Sequence, residues 1–114
     1  MQKILNSLSE NEFALIRETG KAAMVELDED DLIELHGRIR RARNKYVTSY
    51  RRAGAVKVTQ KGARGAGKAA NTRNADKAEV FEDALSKVSR QLAVVSRQSA
   101  GALKAERLTR ARSD

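Results

Sequence analysis

One pattern limits what this chain can fold into more than any other. Ala78, Phe81, Leu85, Val88, Leu92, Val95, Ser99 and Ala102 follow one another at intervals of three and four residues. Such a repeat, sustained over more than three heptads, is one apolar stripe along an α-helix, and another helix has to cover it. A second stripe, Leu32, Leu35, Ile39, Ala42, Tyr46, Ser49 and Ala53, has the same spacing. Its start is encoded locally. Asp28 stands where an N-cap belongs, Asp31 at the third helical position, and Leu27 and Leu32 at the two positions of a hydrophobic staple. No proline occurs in the 114 residues, so neither run is interrupted.

Between the stripes the sequence changes character. Val56 and Val58 alternate briefly, and KGARGAGKAANTR then sets Gly62, Gly65 and Gly67 among cations. A segment that poor in large apolar side chains reads as a flexible loop over residues 56–73. Asn71, Thr72 and Asn74 are all candidate N-caps for the helix that follows. Two long helices joined in this way pack antiparallel. Folding about residue 64 sets Tyr50 near Ala78, Tyr46 near Phe81 and Leu85, and Ile39 near Val88 and Leu92. Ahead of the hairpin, Ser9 and Glu12 have capping-box spacing, and Gly20 breaks the helix they open. Phe13 and Ile16 are expected to meet Val95, Ala102 and Leu103. The expected fold is all-α, an elongated three-helix bundle built on a long antiparallel helical hairpin, with a short N-terminal helix packed at one end. As a single domain it divides into a helix over 9–19, a short helix or turn over 21–27, a long basic helix over 28–55, the loop over 56–73 and a long helix over 74–110. Ala42, Ala84, Ser99 and Ala102 allow close helix approach and leave a modest core, which a dimer through Ile33, Val47, Val80 and Val94 would supplement.

Composition narrows the function. The chain has no cysteine and one histidine, His36, so it lacks a thiol nucleophile, a thiolate metal site and an evident acid–base pair. A non-enzymatic protein without a cofactor is expected. Glu26, Asp28, Glu29, Asp30, Asp31 and Glu34 form an acidic run, but successive carboxylates on a helix radiate outward and do not converge on a cation; no metal site is expected. The absence of an apolar run near ~20 residues and of a secretory leader points to a cytoplasmic chain that does not enter a membrane.

The charge is unevenly divided. Residues 1–35 carry a net −6, residues 36–77 a net +12 and residues 78–114 a net +2. The basic block supplies Arg38, Arg40, Arg41, Arg43, Lys45, Arg51 and Arg52 on the long helix, and Lys61, Arg64, Lys68 and Arg73 in the loop. On a helical projection Arg38, Arg41, Lys45 and Arg52 flank one side of the stripe, and Arg40, Arg43 and Arg51 the other. Arginine presents a planar fork suited to phosphate, and the expected activity is binding of DNA or RNA through phosphate contacts without sequence specificity. No helix-turn-helix, zinc finger or basic zipper is present to read bases. Gly62 to Lys68 matches the body of a phosphate-binding loop, yet Ala69 replaces the required Ser or Thr and there is no strand before it; nucleotide hydrolysis is not expected. The alternative function is a helical protein–protein interaction or oligomerisation module, with a homodimer or another helical protein as partner.

Overall fold

The computed structural model describes residues 2–56 and 64–113. Among the described residues five helices follow in order: α1 Gln2–Ser7, α2 Glu10–Arg17, α3 Lys21–Val25, α4 Glu29–Val56 and α5 Arg64–Ser113. The two stripes meet from Ala78 to Val95, while Ser99 and Ala102 of the expected α5 stripe are exposed. α4 and α5 form the helical hairpin, and among the described residues there is no strand. The Tyr46 and Phe81 rings stack with centroids 6.0 Å apart, in the register that folding about residue 64 predicts. Phe81, Leu32, Leu35, Ile39 and Val88 are fully buried along the same seam.

The local signals operate as their chemistry requires. Ser9 caps α2: its hydroxyl accepts from the Glu12 amide at 3.2 Å, and Glu12 Oε1 accepts from the Ser9 amide at 3.0 Å. Asp28 Oδ1 accepts from the Asp31 amide at 2.8 Å, which starts α4. Gly20 separates α2 from α3 in extended backbone; a Cβ there would stand 3.3 Å from the Arg17 carbonyl oxygen.

Three expectations are corrected. First, helix replaces the predicted loop from Arg64 onward. Ala66, Ala69 and Ala70, with Arg64 and Lys68, favour helix strongly enough to carry Gly65 and Gly67, each of which costs about 1 kcal/mol relative to Ala. Asn71 and Thr72 are therefore not caps: Asn71 is buried, and the Thr72 hydroxyl donates to the Lys68 carbonyl at 2.9 Å. Second, residues 2–7 form a helix ahead of the one expected over 9–19, and its Ile4 and Leu5 pack on the core with Leu8. Third, α1 and α2 lie along the middle of the hairpin and not over its far end. Ile16 and Leu5 share a crevice with Val80 and Ala84, while Phe13 is 38 % exposed and Leu103 49 %. Val80 is thus core and unavailable to a dimer.

This placement leaves a long rod. The radius of gyration is 20.2 Å over extents of 78 × 25 × 17 Å, against about 13 Å for a compact chain of this length. The 50 residues of α5 span about 75 Å. Arg43 meets Glu82 and Tyr46 meets Phe81, so Glu29 stands level with residues 96–98 of α5. Beyond that level α5 continues alone, and residues 96–112 are exposed throughout.

Candidate nucleic-acid interface

The basic face is sorted by carboxylates that arrive from elsewhere in the chain. Arg38 is taken at the C-cap of α2: its Nη1 and Nη2 donate to Glu18 Oε2 and Oε1 at 2.9 and 3.1 Å, and Nε lies 3.6 Å from Glu34. The Glu18 hydrogen bonds hold its guanidinium more firmly protonated than usual, against the opposing effect of burial. Arg43 is taken by α5, donating to Glu82 Oε2 at 3.1 Å, with Asn44 Oδ1 accepting from its Nε and Nη2. Lys45 is taken by Glu12, 3.3 Å away.

Glu12 is the tie between the N-terminal unit and the hairpin. It is buried and accepts the Tyr46 hydroxyl at 2.7 Å while serving the cap at Ser9. Burial pushes its carboxyl upward in pKa, but the hydrogen bonds from Tyr46 and Ser9, with the Lys45 charge, outweigh that and hold it below its ordinary value of 4.5. Burial and the same carboxylate push the Tyr46 phenol up, so it stays protonated as a donor. The Tyr46 ring also receives Lys45 and Lys77, whose Nζ atoms lie 5.1 and 5.2 Å from its centroid. Tyr46 is therefore a structural residue and not a base-stacking one.

Four arginines of α4 remain. Arg40, Arg41, Arg51 and Arg52 are exposed, and none has a carboxylate within 4.0 Å among the described residues. Successive residues turn by 100°, so Arg40 aligns with Arg51 and Arg41 with Arg52, each pair about 16 Å apart along the axis. Gly37, Asn44, Thr48 and Ala55 occupy the strip between the two rows. Arg41 lies back over that strip, its Nη1 3.6 Å from where a Cβ on Gly37 would stand. Lys68 and Arg73 on α5 are exposed toward the same end of the rod. Arg64 is the first residue of α5, and Lys61 lies outside the described residues.

Sequence reasoning missed two cationic features. Lys77 joins the Tyr46 ring one turn beyond Arg73, a spacing that was legible. Lys21, Lys87 and Arg90 line a cleft of about 560 Å³ with Met24 and Val94 between α3 and α5. The i, i+3 pair Lys87 and Arg90 was readable, but the approach of Lys21 depends on the docking of α3. Among the described residues no three His, Asp or Glu side chains group as a metal site, and no helix is long and apolar enough to cross a membrane. Comparison with protein-family models, curated proteins and solved structures found no match to this chain.

Proposed function

We propose that this chain is a non-enzymatic nucleic-acid-binding protein that contacts phosphates through the solvent face of α4, without reading sequence. The observation that carries this reading is the four-arginine face. Intramolecular carboxylates neutralise Arg38, Arg43 and Lys45, yet leave Arg40, Arg41, Arg51 and Arg52 as two parallel rows of uncompensated forks. A helix is about 10–12 Å across, close to the ~12 Å width of a B-form major groove, so α4 fits into the groove with its two rows, about 100° apart on the solvent face, each directed toward one backbone. The strip between the rows offers few groups to a base edge: Gly37 and Ala55 have no polar side chain and the Asn44 carbonyl is occupied by Arg43, which leaves the Asn44 amide and the Thr48 hydroxyl. Phosphate positioning without base discrimination follows.

The test is titration of labelled duplex DNA, single-stranded DNA and structured RNA across a salt series. A steep salt slope on at least one polymer, equal for unrelated sequences of that polymer, is the expected result. Absence of binding at low salt would end this reading, and the arginines would then belong to the surface of a protein-interaction module.

A further inference from the structure

The cleft between α3 and α5 takes no part in the α4 arginine face, and its lining has a chemistry of its own. Its volume of about 560 Å³ lies within the ~300–1,000 Å³ of small-molecule sites. Lys21 reaches it from α3, and Lys87 and Arg90 from α5, together with the apolar side chains of Met24, which is buried, and Val94. Lys87, Arg90 and Val94 stand at i, i+3 and i+7, so one face of α5 presents all three. Among the described residues no carboxylate lines the cleft. Asp83 lies 3.8 Å from the Lys87 Nζ, beyond the ~2.7–2.9 Å of a direct charge-assisted hydrogen bond. Neither Lys21 nor Arg90 has a carboxylate within 4.0 Å among the described residues.

The surrounding sequence does not favour such a grouping. Residues 1–35 hold nine carboxylates against three cations, and α5 has no Asp or Glu from Ala84 to Ala105. Docking α3 on α5 nonetheless sets a lysine beside two further cations, with no acid among the lining residues to separate them. Self-repulsion of this kind works against the compact state, and an anion shared by the three cations removes it. Three cations against Asp83 leave a net +2, which matches the charge of a phosphate monoester near neutral pH. Inorganic phosphate alone fills little of the cleft and leaves Met24 and Val94 unused. We propose that the cleft binds a phosphate monoester carried on an apolar body, the phosphate held by Lys21, Lys87 and Arg90 and the body lying on Met24 and Val94. The Thr19 hydroxyl is committed to the Ile16 carbonyl at 2.6 Å, so the neutral donor left at the cleft is the Gln91 amide. A soluble phosphorylated compound and a lipid bearing a terminal phosphate share this chemistry.

The test uses the full chain labelled with 13C at its methionine methyl groups. Met1 and Met24 are the two methionines, so one of two signals reports the cleft directly. Titration with octyl phosphate below its micelle concentration is expected to shift the Met24 signal saturably. Octanol and inorganic phosphate, each carrying half of the ligand, are expected to bind roughly tenfold more weakly or worse. Lys21→Gln with Arg90→Gln is expected to lower the octyl phosphate affinity by roughly tenfold or more at unchanged helicity. Lys104→Gln with Arg107→Gln removes as many cations further along α5 and is expected to leave that affinity as it was. Co-sedimentation with vesicles of equal parts phosphatidylcholine and phosphatidic acid, lost in the Lys21 and Arg90 variant, would place the ligand in lipid. A saturable shift without that co-sedimentation would make it a soluble ester. A Met24 signal that does not saturate, octanol or inorganic phosphate binding as tightly as octyl phosphate, or a Lys21 and Arg90 variant that binds as the wild type does would each overturn the proposal. None of these outcomes bears on nucleic-acid binding, since no α4 arginine lines the cleft.

Discussion

The sorting of arginines by their carboxylate partners makes a quantitative prediction that simple counting of positive charge does not. If only Arg40, Arg41, Arg51 and Arg52 meet phosphates on duplex DNA, the slope of log K against log salt is about −3.6, and affinity falls roughly 150-fold between 50 and 200 mM salt. Changing all four to Gln is expected to remove that slope, about 0.9 per contact. Changing Arg38 and Arg43 to Gln removes as many cations as half of that set, but these two already face Glu18 and Glu82. The paired variant is therefore expected to hold the wild-type slope. Its loss appears in stability, at about 1 kcal/mol for each half-exposed pair. Fluorescence anisotropy over the salt series, beside thermal melts by circular dichroism, separates the two variants. Should the Arg38 and Arg43 pair flatten the slope as much as the other four do, the ion pairs do not withhold those side chains and the four-residue face has no special standing.

The Glu12 tie supplies a pH dependence. Its folded-state pKa lies below the unfolded value, so its contribution is present above about pH 4.5 and is lost as pH falls through the folded-state value. Acid titration of the melting temperature is expected to show that decline, and Glu12→Gln to remove it. Tyr46→Phe deprives the buried carboxylate of a hydroxyl donor and is expected to destabilise by about 1–3 kcal/mol in chemical denaturation, with Phe81 stacking retained. Asn71 is buried with its Oδ1 unpartnered among the described residues; Asn71→Leu is expected to stabilise the chain by about 1 kcal/mol, read as a higher urea midpoint. Asp28→Ala is expected to lose about 1 kcal/mol by the same measurement, because the Asp31 amide is left without its cap.

Much of the architecture was legible because it depends on short-range pattern. Two 3,4 stripes and the absence of proline demand paired helices, and the capping signals at Ser9 and Asp28 involve partners three residues away. Local pattern misled in one place: the glycines between residues 62 and 67 read as a loop, although the alanines around them extend α5 back to Arg64. Where the N-terminal helices dock was not legible at all. Ile16 and Leu5 are generic apolar residues that suit the hairpin's middle as well as its end, and the choice is made by specific contacts, Glu12 to Tyr46 and Glu18 to Arg38, that no periodicity announces.

The candidate site shows the same division more sharply. Arg40 and Arg43 are three residues apart on one helix and identical in chemistry, yet one meets solvent and the other Glu82, 39 positions further along the chain. Lys45 and Glu12 are separated by 33 positions, and Arg38 and Glu18 by 20. A basic block on a helix is thus a reservoir of charge, and tertiary structure decides which members it spends internally. Here the withdrawn cations are those nearest the core stripe, where a neighbouring helix reaches them. The remaining four point away from every packed element, the position from which a polyanion is met without breaking any contact that holds the fold together.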